Sequence, residues 1–279
     1  RLLDAKRFAR IRMALVLLLL LGGGLTGCKT TSKTPSPPAT ALPLGAPRLD
    51  DIVADLRAND EALKDVRAAA TFTLESPEKI KSVQRFPSGS VAYRRPADLR
   101  VVGKNHLGAA LFKLTSRGAE FVIEFPAVQD TDDRYYCSFE NDDIANVPFP
   151  VAPGDIAREM FMPIDWNETS NKSVRLVAYD KASGHATLEI MVRGDLVRRV
   201  IVQGTPWIVV HNTLIQRDGT ALSDTVMRNY EEHSGVRFPA NVEAWFPGET
   251  TRISFELRNV RINTGLPDSM FAITWPAGQ

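Results

Sequence analysis

The residue types that most often carry enzyme chemistry are scattered along this 279-residue sequence. The four histidines, His106, His185, His211 and His233, occur singly and form no zinc-binding pattern. The Ser-Gly-Ser stretch at 88–90 lacks the glycines of a nucleophile elbow and precedes a predicted strand rather than a helix. No phosphate-binding loop or dinucleotide fingerprint occurs. We therefore expect a protein that is not an enzyme and that uses no cofactor.

The acidic clusters and the second cysteine offer little further chemistry. Asp130–Asp133 and Glu140–Asp143 could supply oxygen ligands to calcium, but their spacing differs from that of an EF-hand loop, and we expect no metal. Cys137 lies in the apolar, aromatic context Arg-Tyr-Tyr-Cys-Ser-Phe, which favours a buried and unreactive thiol. A hydrolase would need a polar triad inside a cavity, and the sequence offers no candidate for one.

The other cysteine, Cys28, stands where an apolar segment ends. Five basic residues precede the apolar run Met13–Leu21, which is too short to span a bilayer and is typical of a secretory signal. The order Leu, Thr, Gly, Cys at 25–28 is similar to the bacterial lipobox, in which the chain is cut before the cysteine and the thiol is acylated. The alternative is a signal peptide with an incidental cysteine. We expect residues 1–27 to be a lipoprotein signal peptide and Cys28 to be the lipidated first residue.

A tether and an ordinary globular body follow. Residues 28–48 are rich in Pro, Ser and Thr without apolar periodicity, which indicates a disordered tether. The signal carries five basic residues and one acidic residue, which leaves 29 basic and 32 acidic residues after it, a net charge of −3. This balance predicts no nucleic-acid partner and no polybasic membrane patch. We expect attachment to the membrane through lipidated Cys28 instead of through a basic surface. Residues 49–279 are expected to form a single domain.

The apolar periodicity of that domain predicts one helix followed by strands. Apolar residues recur at helical spacing over Leu49–Val66, and Asp50 or Asp51 could cap the start of this helix. From Ala69 the period changes to two, and six short strands follow with gaps too brief for parallel crossovers. A second, shorter helix is predicted within 146–163, after a run of prolines.

Seven further strands are predicted over residues 173–263. In the last one, Ile253, Phe255 and Leu257 share one face, whereas Val260 and Ile262 have the opposite parity, which predicts a bulge near Arg258 or Asn259. About a dozen strands and two helices indicate an α+β fold: one strongly curved antiparallel sheet, a half-open β-barrel, with both helices on its concave face.

That concave face should be strongly apolar. If the two helices do not fill it, an acyl-binding cavity remains; if they do, the face is simply a core. The sequence leaves both alternatives open. The candidate cavity residues are Val101, Phe112, Leu114, Phe121, Ile123, Phe125, Phe255 and Leu257.

Two stretches resemble the bacterial outer-membrane lipoprotein-sorting family of LolA/LolB-like half-barrel lipoproteins. Asp98–Pro126 is similar to a strand, a loop ending in Leu-Gly and two further strands of the LolB-type receptor. Residues 230–276 resemble the closing strands and the Phe-containing end of the family. The chain departs from the receptor in having His106 where the receptor loop has proline, and its tail is as similar to the soluble carrier.

The resemblance implies a function without covalent chemistry. It implies binding of acyl chains of lipoproteins or lipids, an acceptor role at the periplasmic face of the outer membrane, and a soluble periplasmic carrier homologue as a partner. It also assigns Leu107 to the loop position that inserts into the membrane, whereas a leucine folded back onto the sheet is the alternative. Lys29, in place of an aspartate after the cysteine, favours the outer membrane over inner-membrane retention. The rival hypothesis is a structural or partner-binding envelope lipoprotein with a filled barrel and no transported ligand.

Overall fold

A computed structural model describes residues 45–76, 83–118, 120–129, 134–138, 152–161 and 164–275. These residues form two α-helices and one antiparallel sheet of fourteen strands. The helices are α1 (Leu49–Ala62) and α2 (Pro153–Met160). The strands are β1 (Asp65–Glu75), β2 (Gln84–Phe86), β3 (Ser88–Arg94), β4 (Asp98–Lys104), β5 (Ala110–Arg117), β6 (Glu120–Glu124), β7 (Tyr135–Ser138), β8 (Lys172–Asp180), β9 (His185–Val192), β10 (Asp195–Gln203), β11 (Ile208–Ile215), β12 (Ala221–His233), β13 (Val236–Phe246) and β14 (Thr251–Ile262).

The strand order explains how the sheet and its helices fit together. The sheet runs β7-β6-β5-β4-β3-β1-β14-β13-β12-β11-β10-β9-β8, and β2 pairs with β1 beside this path. The first and last strands therefore meet in the middle, where Phe72 of β1 lies opposite Phe255 of β14. The two edges, β7 and β8, are joined in sequence by the segment that contains α2. The sheet is a curved, unclosed half-barrel, as the sequence predicted.

Each helix covers one part of the sheet. Ile52 and Leu56 of α1 pack with Trp166 and with buried residues of β8–β10, such as Leu188 and Val200. Side chains of α2 pack into a separate apolar cluster that extends over β1, β3–β6 and β12–β14. Because the two clusters lie on the same face of the sheet, the helices form one layer on it.

The predicted bulge in β14 is confirmed. Arg67 and Ala69 of β1 pair with Arg261 and Arg258, so the register shifts across one residue of β1 and two of β14. Asn259 adopts a φ of 53°, and Ile262 is returned to the buried face.

The start and end of α1 differ from the prediction. The helix begins after Arg48 without a side-chain cap, and Asp50 and Asp51 lie in its first turn, where a negative charge favours the helix dipole. The helix ends at Ala62, four residues early, because Asn263 donates to the Ala62 carbonyl at 2.7 Å and accepts from the Lys64 amide at 2.8 Å. These contacts turn the chain from α1 into β1.

The chain after β14 returns over the outer face of the sheet. Leu266, Met270 and Phe271 pack on Ala92 of β3, which points away from the helices. Arg94 holds this segment, since its guanidinium lies 2.7 Å from Asp268 and 5.0 Å from the centre of the Phe271 ring. No helix among the described residues has both the length and the apolar character needed to cross a membrane.

Candidate functional site

The eight predicted cavity residues all lie on the helix-covered face of the sheet. Seven of them are at most 4% exposed, and Phe125 is partly buried against Tyr136. The middle of this face is filled by aromatic rings, because Phe72 lies 4.7 Å from Phe86, 5.5 Å from Phe112 and 5.4 Å from Phe255, measured between ring centres. The seven buried residues and the Phe72 cluster thus form a packed apolar wall.

Glycine allows this aromatic packing. A Cβ on Gly103 of β4 would lie 2.4 Å from a ring carbon of Phe112 and 2.9 Å from one of Phe86. The rings can reach the β4 backbone only because this position carries no side chain.

One cavity lies beside this wall, between the two helices. A cavity of about 80 Å³ extends from Asn59 and Asp60 of α1 to Glu159 of α2, over a floor that includes Arg198 of β10 and Asn212 of β11. This volume holds roughly five to eight water-sized groups. An acyl chain of about sixteen carbons has about two to three times as many groups as this volume holds. None of the eight predicted residues lines this cavity.

Helix α1 is attached to the sheet by directional hydrogen bonds. The Asn59 side chain accepts from the Arg237 amide at 2.8 Å and donates to the Arg237 carbonyl at 3.1 Å. Asp55 accepts from the amide of Trp207 at 3.2 Å, and Asp60 accepts from the indole N–H of Trp166 at 3.1 Å. These contacts fix α1 along its length.

Helix α2 is held mainly by apolar contacts. Pro153 stands at its first turn, where a fixed φ favours helix initiation. Ile156, Ala157 and Met160 pack into the apolar cluster, and Phe161, directly after the helix, stacks on Tyr93 at 5.0 Å between ring centres. The polar exception on this face is Glu159.

Two ionisable groups at the α1 end of the cavity have shifted pKa values. Burial raises the pKa of Asp60 to about 6, although the Trp166 hydrogen bond and the charge of Arg95 act in the opposite direction. Burial, with a smaller contribution from the charge of Asp60, raises the pKa of Tyr230, whose hydroxyl donates to the Val209 carbonyl.

Leu107 lies in an ordered loop between β4 and β5 and is 81% exposed. Asn105 fixes the loop, because its side-chain oxygen accepts from the amides of Leu107 at 2.9 Å and Ala109 at 3.0 Å. Gly108 has a φ of 83°, which glycine adopts without strain. The geometry presents the Leu107 side chain to solvent, whereas its role in a membrane stays a prediction.

Among the remaining candidate residues, His211 lies beside a carboxylate. The imidazole of His211 lies 2.6 Å from Asp224, and Thr213 donates to the same carboxylate at 2.8 Å, on the outer face of the sheet. Cys137 is half-buried rather than fully buried as predicted, and this burial raises the pKa of its thiol. The part of the chain that the structure describes contains no group of three or more potential metal ligands. Cys28 and the clusters Asp130–Asp133 and Glu140–Asp143 lie outside the described residues.

The sequence reasoning missed the polar residues of the cavity, although their pattern was visible. Glu159 follows Ile156 by three residues and precedes Met160, so it falls on the apolar stripe of α2. Arg198 alternates with Val200 and Val202 and therefore shares their buried face.

Comparison with known proteins adds a fold likeness. No family model matches the sequence, and no curated protein matches it. A DUF1329 family protein from Desulfovibrio piger is 13% identical with a TM-score of 0.55, over 81% of this chain and 98% of that one. A LolA superfamily protein from Nitrosomonas europaea is 12% identical with a TM-score of 0.52, over 80% and 97%. A domain assigned to outer membrane lipoprotein sorting from Vibrio parahaemolyticus is 15% identical with a TM-score of 0.52, over 79% and 94%.

These identities are low, so the likeness shows a common fold and leaves ligands and partners open. The resemblance to LolA/LolB-like half-barrels is confirmed at the level of the fold. Its finer part, similarity to the LolB-type receptor in particular, stays a prediction.

Proposed function

We propose that this protein is a lipid-anchored protein of the bacterial cell envelope that binds acyl chains of lipids or lipoproteins between its sheet and α2. The observation that carries the proposal is the way α2 is held. The apolar side chains of α2 rest on an apolar wall, and Glu159 of α2 accepts hydrogen bonds from Asn212 and Thr225 of the sheet.

The cavity volume means that binding requires α2 to move. A hydrocarbon chain that enters beneath α2 would cover the same wall that Ile156, Met160 and Phe161 cover now. The wall would stay out of water, so displacement of α2 costs little of the apolar burial that stabilises the domain. The hydrogen-bonded α1 would remain in place.

The test combines ligand detection with hydrogen exchange. Native mass spectrometry of the delipidated protein with a palmitoyl lipid is expected to show a one-to-one complex. Amide exchange of Ile156–Met160 should then become faster with ligand bound, whereas exchange in α1 should stay unchanged. Absence of any complex would remove acyl binding from the function, and a complex with unchanged exchange in α2 would remove this entry route.

The proposed setting is the periplasmic face of the outer membrane, with attachment through acylated Cys28 and cargo received from a soluble periplasmic carrier. The lipobox-like sequence, Lys29 after the cysteine and the fold shared with a lipoprotein-sorting domain support this setting. Acyl chains on Cys28 would anchor the protein stably, since each buried methylene contributes about 0.8 kcal/mol. Cys28→Ser is expected to move the protein from the membrane fraction to the soluble fraction.

Leu107 is the proposed membrane-contacting residue of this acceptor. Leu107→Glu should leave the melting temperature unchanged, because the side chain is exposed, and should lower delivery of a lipoprotein to vesicles. Leu222→Glu is the matched control, since Leu222 is an exposed leucine on β12, outside the loop. Equal delivery by the two variants would remove Leu107 from the site.

The second candidate function is a structural or partner-binding envelope lipoprotein without a transported ligand. The small cavity and the filled aromatic wall favour it. In that case the delipidated protein would bind no palmitoyl lipid in the same experiment.

A further inference from the structure

Beneath α2, a polar cluster interrupts the apolar interior. One carboxylate oxygen of Glu159, Oε2, accepts a hydrogen bond from the side-chain amide of Asn212 at 3.2 Å and from the Thr225 hydroxyl at 2.9 Å. Glu159, Asn212, Thr225 and the neighbouring Ser223 are each at most 3% exposed. A buried carboxylate on an apolar helix face has a large desolvation cost, so its retention needs a physical reason.

Several polar atoms of this cluster lack hydrogen-bond partners. Among the described residues, Glu159 Oε1, Asn212 Oδ1, Ser223 Oγ and Arg158 Nε are buried without one. Arg158 Nε lies 3.6 Å from Glu159 Oε1, which is an ion-pair distance but too long for a hydrogen bond. Such atoms are uncommon in native structures, and three of the residues that carry them, Arg158, Glu159 and Asn212, line the cavity, where a bound molecule can satisfy them.

Arg198 adds a guanidinium to the same cavity. It lies on β10 on the face of Val200 and Val202, and it makes no hydrogen bond with any residue that the structure describes. Burial is the main cause that lowers the pKa of Arg198. The negative charge of Glu159 acts in the opposite direction, and the positive charge of Arg158 lowers the pKa further. The next residue, Arg199, faces outward and lies 2.8 Å from Glu189. Arg198 therefore lacks the direct anionic partner that its neighbour has.

The polar groups of the cavity that lack hydrogen-bond partners specify the chemistry of a ligand. A planar guanidinium matches an oxyanion, with which it forms charge-assisted and often bidentate hydrogen bonds. Glu159 Oε1 and Asn212 Oδ1 need a donor, which a hydroxyl supplies. The cavity of about 80 Å³ accommodates such a head group, whereas a long hydrocarbon chain does not fit.

We propose that this cavity binds the head group of an anionic amphiphile, with an oxyanion on Arg198 and a hydroxyl donating to Glu159 or Asn212. The acyl chain of the same molecule extends beneath α2, so this inference rests on the proposed acyl-binding function and specifies its ligand class. The oxyanion is a phosphate ester or a carboxylate. The cargo is then a charged lipid rather than the uncharged acylated end of a lipoprotein.

Three palmitoyl amphiphiles separate these features. Lysophosphatidic acid carries a phosphate and a hydroxyl, palmitate carries an oxyanion alone, and monopalmitoylglycerol carries hydroxyls without charge. Titration calorimetry of the delipidated protein below the micelle concentration is expected to rank them in this order, with the first binding at least about tenfold more tightly than the last. Inorganic phosphate in excess should not displace lysophosphatidic acid, because it has no chain.

Two variants and one control test the residues. Arg198→Gln should weaken both anionic amphiphiles about tenfold and leave monopalmitoylglycerol within about twofold. Arg199→Gln, the neighbouring arginine on the outer face, should change none of the three. Glu159→Gln should bind palmitate more tightly, because a carboxylate that competes for Arg198 is removed and an acceptor oxygen is kept.

The outcomes distinguish this inference from the function on which it rests. If none of the amphiphiles binds, both are wrong. If wild type binds all three equally, or if Arg198→Gln retains full affinity for the anionic pair, acyl binding stands and the head-group site is wrong. Binding of inorganic phosphate as tight as that of lysophosphatidic acid would overturn the lipid origin of the anion. If Arg198→Gln fails to fold, as circular dichroism would show, the amphiphile ranking and Glu159→Gln decide.

Discussion

Asp60→Asn should stabilise the protein relative to wild type, and the gain should be larger at neutral and alkaline pH than at acidic pH. Asp60 lies in the last turn of α1, and burial raises its pKa from 3.8 to about 6. The folded state therefore holds the proton more tightly than the unfolded state. Stability contributed by this group is present at low pH and is lost as the pH rises from about 4 to about 6. Above that range the charged carboxylate is a constant cost to the fold.

The size of that cost follows from the shift. Two pKa units at about 1.4 kcal/mol each give up to about 3 kcal/mol, an upper limit because the side chain is only partly shielded from water. Asparagine keeps an oxygen that accepts the Trp166 indole N–H and removes the charge. We expect Asp60→Asn to gain up to about 3 kcal/mol at pH 8 and about 0.5 kcal/mol at pH 4.

Urea unfolding at both pH values measures this difference. Glu61→Gln is the matched control, since Glu61 is the adjacent exposed acid on α1 and its removal should change stability by less than about 0.5 kcal/mol. A gain that is equal at pH 4 and pH 8, or a loss of stability at pH 8, would show that the burial of Asp60 does not govern its ionisation.

Two further predictions concern the apolar wall. Phe72→Ala should lower the free energy of unfolding by about 3–5 kcal/mol in urea titrations, because it removes a ring that contacts three others; a loss below about 1 kcal/mol would contradict the packing described. Gly103→Ala should cost about 1–3 kcal/mol, since its Cβ collides with Phe112 and Phe86. Restoration of stability by Phe112→Leu in that background would identify the collision as the cause, and unchanged instability would argue against it.

The strands were predictable because their pattern is local. Alternation of apolar and polar residues identifies a half-buried strand, and the change of parity between Leu257 and Val260 was enough to predict the bulge in β14. The end of α1 was not predictable in the same way, since the apolar spacing continues to Val66. Hydrogen bonds from Asn263, about 200 residues away in sequence, end the helix at Ala62. The short strand β2 was missed because three residues carry too little periodicity.

The site was less accessible from sequence than the fold. The apolar residues were identified as a set, but whether a helix fills the space above them depends on where α2 lies, and α2 is placed by contacts distant in sequence. The exposure of Leu107 depends on the turn made by Asn105, which the sequence left open against a leucine folded on the sheet. Glu159 and Arg198 gave a usable signal, because each is a charge at an apolar position of its element.

The two helices over the sheet differ in what a lipid could replace. Besides its apolar contacts, α1 has hydrogen bonds to Asp55, Asn59 and Asp60, which a hydrocarbon chain cannot supply. The contacts of α2 are apolar, and a hydrocarbon chain supplies them equally well. Glu159 of α2 binds Asn212 and Thr225 with the same carboxylate that would accept a hydroxyl of the head group. Asn212 and Thr225 both bind the Oε2 oxygen, and the hydroxyl would bind the other oxygen, Oε1, so a bound head group leaves these two hydrogen bonds in place while a hydrocarbon chain replaces the apolar contacts of α2.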